Sequence, residues 1–128
     1  MTAPKDALPL PAAPETDRKQ ASSTELSTKT IALPRLNLLQ PTLEMTALKL
    51  MEEAGELGAA IRAYRGLEGH AGAVPDEGAL RRVARELLDV AQTAVTMMYV
   101  LEEQYGVDLH AAMTEHVDKL LHKGYLRL

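Results

Sequence analysis

A chain of 128 residues with a net charge of −4 and no cysteine excludes several classes at the outset. The length suits one ordinary domain, disulfides and thiolate metal sites are ruled out, and the acidic balance argues against a nucleic-acid-binding surface. Apolar residues make up 46% but include no Phe and no Trp, so the core must be built from Leu, Ala, Val and Met, which favours helices over a β-sandwich.

In chain order, residues 1–33 read as a disordered or loosely docked tail, rich in Pro, Ala, Ser and Thr and poor in large apolar groups to offset ordering entropy. Its start, "MTAPKDALPLPAAPETDRKQ", has no continuous apolar run and does not read as a signal peptide. The domain is expected over 34–128, and "IALPRLNLLQP", which begins at Ile31 in the tail, has enough leucine to pack locally on it. A first helix is predicted from Thr42, a suitable N-cap, to about Tyr64. The loop "RGLEGHAGAVPDEG" follows, marked by four glycines and Pro75. A second helix is predicted from near Asp76 to Tyr105, stopping at Gly106, and a third from an Asp108 cap to Gly124. The most apolar long run, "LLDVAQTAVTMMYVL", contains Asp89 and Gln92 and is shorter than the ~20 residues of a membrane span. A soluble cytoplasmic protein, with neither nucleic acid nor membrane as partner, is the expectation.

These elements predict an all-α fold, an antiparallel helical bundle with short connections. The second helix is apolar around most of its circumference: Leu87, Leu88, Val90, Val95, Met97, Met98, Val100 and Leu101 cannot all face one neighbour. The bundle is therefore expected to be completed by homo-oligomerisation, most simply as a dimer.

On a helical wheel, Leu43, Leu50, Ala54, Leu57 and Ile61 cluster as the expected core face of the first helix. Glu53 falls about 65° from the centre of that face, Glu56 about 125° away, and Glu52 nearly opposite. On the second helix Val83, Leu87, Val90, Ala94 and Leu101 define the expected inner arc, with Glu86 at its edge and Asp89 one i+3 step beyond. If the helices pack antiparallel, Glu53 and Glu56 can face Glu86 and Asp89. Two carboxylates ~5 Å apart at an effective dielectric of ~20 repel by ~3 kcal/mol, so such a cluster calls for raised pKa values or a cation. An all-oxygen cage with no Cys and no paired His suits Mg²⁺ or Mn²⁺. Gly55 and Gly58 lie alongside, each costing ~1 kcal/mol against alanine in a helix, and leave a small-residue surface for close contact or a ligand. A solvated acidic face is the competing reading. The four histidines, His70, His110, His116 and His122, form no Glu-x-x-His pair, and no glycine-rich phosphate loop occurs.

"KLMEEAGELGAAI" followed by "ELLDVAQTAV" resembles the all-α nucleoside triphosphate pyrophosphohydrolases of the MazG-like superfamily, whose hallmark is E-E-x-x-E on one helix and E-x-x-D on the next. "EHVDKLLHKGYL" is similar to the closing segment of that family, and the likeness spans about Leu43 to Leu126. The resemblance implies Mg²⁺-dependent hydrolysis of a nucleoside triphosphate, a deoxynucleotide by preference, between the α- and β-phosphates. It implies Glu53, Glu56, Glu86 and Asp89 as metal ligands, Glu52 or Glu53 as the general base, and Lys49 and Lys119 on substrate phosphate. Where the family often carries an Asn near that last lysine, His116 and Asp118 flank Lys119 here, and the interval from Glu56 to Glu86 is long for the pattern. Two other readings stand beside this one: a phosphoribosyl-ATP pyrophosphohydrolase-like enzyme, and a non-catalytic helical dimer serving as a binding module.

Overall fold

A computed structural model of the chain describes residues 26–66 and 77–128. Among them are three helices and no strand: α1 (Leu43–Tyr64), α2 (Glu77–Tyr105) and α3 (Leu109–His122). The Gly-rich loop, His70, Pro75 and the Asp76 start expected for the second helix lie outside the described residues, as does most of the expected tail. No described helix is long and apolar enough to cross a membrane. The chain divides into two compact units, one of them Ile31–His116 and the other containing Val117–Leu128; α3 passes from the first into the second.

Each helix begins and ends where its local chemistry directs. The Thr42 backbone is extended, and its hydroxyl accepts a hydrogen bond from the Met45 amide at 3.2 Å, satisfying one of the donors a helix start leaves free. The α1 helix ends ahead of Gly66, which takes a positive φ of 70°. For α3 the Asp108 carboxylate caps the Ala111 amide at 3.0 Å. Its far end closes on Gly124, with the Tyr125 amide reaching the Leu120 carbonyl at 3.0 Å and the Gly124 amide the Leu121 carbonyl at 3.1 Å, a Schellman closure. The α2 helix stops at Gly106, whose φ of 65° only glycine adopts without strain, and the Val107 amide turns back onto the Leu101 carbonyl at 3.0 Å.

Within Ile31–His116, α1 and α2 pack along each other. Residues early in α1, Met45 and Lys49, share a groove with Thr96 and Gln92 of α2, whereas Glu53 further on meets the earlier Glu86 and Asp89. The two helices therefore run antiparallel.

The faces they bury differ from the expected ones. On α1 the buried line is Thr46, Glu53 and Ala60, while Ala54 and Ile61, expected in the core, are exposed. The inner face is turned by about 65° and centres on Glu53. On α2 the buried residues are Thr96 and Val100, and Leu87 is 53% exposed. Val83, Val90, Ala94 and Leu101 of the expected arc stay half-buried, as do Glu86 and Thr93, so the inner face is turned toward the Glu86 and Thr93 side of α2. Threonine can sit in this interface because its hydroxyl is satisfied within the helix: Thr96 donates to the Gln92 carbonyl and Thr46 to the Thr42 carbonyl, both at 2.9 Å. Leu87 of the expected arc faces outward instead, together with Leu80, Leu88 and Met98.

The segment ahead of α1 is held along α2 by side chains. The Gln92 amide donates to the Pro34 carbonyl at 2.8 Å and the Gln104 amide to the Pro41 carbonyl at 3.0 Å. Arg35 grips Glu103 through two nitrogens at 2.5 and 2.6 Å and lies 5.1 Å from the centre of the Tyr99 ring.

A β-carbon at Gly106 would meet nothing within 4 Å, so its backbone angle alone sets the cost of a side chain there. Gly106→Ala is expected to lower the free energy of unfolding by about 1–2 kcal/mol, read from urea denaturation with an unchanged m-value.

Candidate active site

Three carboxylates converge between α1 and α2. One oxygen from each of Glu53, Glu86 and Asp89 lies within 4.8 Å of the other two. They are graded in depth: Glu53 is 6% exposed, Glu86 is half-buried and Asp89 is exposed, so the cluster opens toward solvent at Asp89. Glu86 and Asp89 reach this place together because an i, i+3 pair shares one helix face.

Two oxygens of the cluster stand out. Oε2 of Glu53 and Oε2 of Glu86 are buried and accept no hydrogen bond. Leaving a buried carboxylate oxygen unpaired carries a desolvation cost of at least about 1–3 kcal/mol, so a positive group is needed beside it. Lys49 supplies part of that charge, one turn earlier on α1, with Nζ 2.9 Å from Oε1 of Glu53. The Lys49 pKa is raised, first by the hydrogen bond to Glu53 and then by the charges of Glu52 and Glu53. One ammonium on Oε1 of Glu53 leaves Oε2 of Glu53 and Oε2 of Glu86 without a partner. Hard oxygen donors without sulfur or nitrogen, two of them orphaned, fit a small divalent cation such as Mg²⁺ or Mn²⁺.

The other expected site residues take different positions. Glu56 is exposed and stands outside the three-carboxylate group, yet its pKa is raised, chiefly by the Glu53 charge, then by desolvation and by Glu86. Glu52 is exposed and lines the groove next to the cluster together with Lys49. Lys119 is an exposed residue in the last turn of α3 and belongs to the other compact unit.

That groove, about 470 Å³, was not legible as a motif. Its polar part is formed by Lys49, Glu52, Gln92 and Thr93, and its apolar part includes Leu36 and Leu39 from the segment ahead of α1. Gln92 and Thr93 stand one turn beyond Asp89 on the same side of α2, and the Thr93 hydroxyl donates to the Asp89 carbonyl at 2.9 Å. The i+3 and i+4 spacing from Asp89 was the available signal for both.

A carboxylate whose folded-state pKa lies above its unfolded value favours the folded protein only while protonated, and that contribution is lost as pH rises through the folded pKa. In metal-free protein, Glu56→Gln is therefore expected to raise the melting temperature at neutral pH. The gain should disappear on acidification below the ordinary carboxylate range, where Glu56 is itself neutral. An unchanged or lower melting temperature at neutral pH would contradict the repulsion from Glu53.

Residues 41–124 match the family model of the MazG nucleotide pyrophosphohydrolase domain, a span covering α1, α2 and α3 and every carboxylate of the cluster. Neither curated proteins nor solved structures give a match. The matched region takes in well over half of the chain, which belongs to the MazG nucleotide pyrophosphohydrolase domain family.

Proposed function

We propose that the protein is a Mg²⁺-dependent nucleoside triphosphate pyrophosphohydrolase, with Mn²⁺ as a possible substitute, that sanitises or regulates nucleotide pools in the cytoplasm. It would convert a (d)NTP and water to a (d)NMP and pyrophosphate. The observation that carries this reading is the convergence of Glu53, Glu86 and Asp89 from two helices, with a buried, unpartnered oxygen on both Glu53 and Glu86. Glu53, Glu86 and Asp89 would hold the cation, with Glu56 at their edge. Bound there, a divalent ion supplies Lewis-acid polarisation of phosphate oxygens.

The chain's own groups account for the remaining tasks. Lys49, more than half exposed while its Nζ touches Glu53, can turn its ammonium to a substrate phosphate without leaving the cluster. Glu53 has one oxygen on Lys49 and the other enclosed, which suits a fixed ligand better than a proton acceptor. Glu52, exposed on the groove wall, is the better placed of the two glutamates to take the proton from the attacking water. That water adds to the α-phosphorus, the bond to the bridging α,β-oxygen breaks, and pyrophosphate departs.

The protein works, in this reading, as a homo-oligomer. Within one chain the buried apolar residues among those described are only Ala60 and Val100, while Leu80, Leu87, Leu88 and Met98 line one outward arc of α2. A second copy presenting the same arc closes it by two-fold symmetry.

Pyrophosphate release should appear from at least one member of a panel of canonical and modified (d)NTPs when Mg²⁺ is present and vanish in chelator. Glu86→Gln should lower turnover by about a hundredfold or more with helix content unchanged. No turnover on any nucleotide by a well-folded protein would overturn the enzyme and favour a binding module. In analytical ultracentrifugation the wild type should sediment as a dimer or larger and Leu87→Glu as a monomer; a monomeric wild type would remove the oligomer.

A further inference from the structure

The segment 31–41 has neither helical nor strand hydrogen bonding, so its backbone must be satisfied and positioned by other means. Those means are polar and come from one helix. Gln92 and Gln104 of α2 donate to the carbonyls of Pro34 and Pro41, and Glu103 with Tyr99 takes the Arg35 guanidinium. Apolar packing contributes little, because the segment has open space on both sides. Leu36, Leu39 and Pro41 border the groove of about 470 Å³ beside the carboxylates, and the same three border a second cavity of about 320 Å³ against Tyr99 and Val100. The segment is a partition between two spaces, held in place by its anchors.

We infer that 31–41 is a positioning strap for the nucleoside half of the substrate, with the Arg35–Glu103 pair setting where its Leu36 and Leu39 wall stands. The inference rests on the proposed hydrolase reading. The groove is charged where it joins the cluster, at Lys49 and Glu52, and aliphatic toward Leu36, Leu39 and Met45. A nucleotide carries the same division, a polyphosphate at one end and a flat, weakly polar base at the other. The volume lies in the 300–1,000 Å³ range common for small-molecule sites. Among the described residues no aromatic ring lines the groove, so a base would be gripped between aliphatic side chains instead of stacked on a ring. Arg35 and Glu103 do not line the groove and act only through the strap, so they are positioning residues.

The test uses the full-length chain in three measurements: steady-state kinetics on its best triphosphate, affinity for the α,β-non-hydrolysable analogue of that nucleotide, and Mn²⁺ affinity without nucleotide. Arg35→Ala and Glu103→Ala are each expected to raise KM and the analogue Kd about fivefold, within the reach of a bidentate but half-exposed ion pair, with kcat within about twofold. Mn²⁺ affinity should not change. The double variant should be no worse than either single one, and the charge-exchanged R35E/E103R protein should recover most of the loss. Leu39→Asp, in the groove wall, should raise KM; Leu38→Asp, at a neighbour that is 93% exposed and outside the groove, should not. An Arg35→Ala protein with unchanged KM and analogue affinity overturns the strap, as does one that loses kcat and Mn²⁺ binding together. A wild type that binds the analogue without hydrolysing it overturns the proposed function alone, since analogue affinity still reads the strap. A wild type that hydrolyses nucleotides while Arg35→Ala matches it overturns the strap alone.

Discussion

The α1–α2 interface is organised around a buried charge. Glu53 occupies the middle of the inner face of α1, 6% exposed, where a helix pair would ordinarily place a leucine. A buried carboxylate is a liability unless charge and hydrogen bonds compensate it, and here one oxygen has Lys49 while the other has nothing. Packing Glu86 and Asp89 against it adds repulsion to desolvation. A fold selected for stability alone would not keep this arrangement. Its cost is understandable where the cluster is a place for a cation, as membership of a pyrophosphohydrolase family suggests.

The rest of the unit follows from that constraint. Turning the acidic sides of both helices inward turns the leucine-rich arc of α2 outward. Threonines and alanine fill the interface around the carboxylates, because small residues let the two backbones approach closely enough for side chains at i and i+3 to converge. Thr46, Thr93 and Thr96 answer their own hydroxyls within the helix and so add no unsatisfied polar group. The outward arc, with Leu80, Leu87, Leu88 and Met98, is the apolar surface through which the proposed oligomer would add stability.

The same economy of apolar contact explains the segment before α1. It crosses α2 without joining a sheet or a helix, and hydrogen bonds from Gln92 and Gln104 with the Arg35–Glu103 ion pair hold it. Polar anchors fix position over a span of backbone without filling the spaces beside it. The groove next to the carboxylates remains open for that reason.

The limits and caps of the described helices, the start of α2 apart, were legible in the sequence, because Thr42, Asp108, Gly106 and Gly124 act through bonds to residues within a few positions of themselves. The pairing of Glu53 with Glu86 and Asp89 was legible too, since i, i+3 spacing on antiparallel helices allows few partners. The helix faces were not. Hydrophobic periodicity places the most apolar arc inward, which put Ala54, Ile61 and Leu87 in the expected core, where the structure buries Glu53 and Thr96. That rule assumes that a helix has one neighbour and that apolar burial within the chain decides its orientation. Here Glu53, Thr46 and Thr96 are buried more fully than Leu50, Leu57 or Val90, and Leu87, Leu88 and Met98 are exposed, a choice that depends on what else the surfaces meet. The grip of Arg35 on Glu103 and the role of Gln92 were equally invisible, for they join residues 68 and 58 positions apart with no periodic signature. Local bonding chemistry is written residue by residue in the chain, whereas the direction a helix faces is decided only when all its competing neighbours are present.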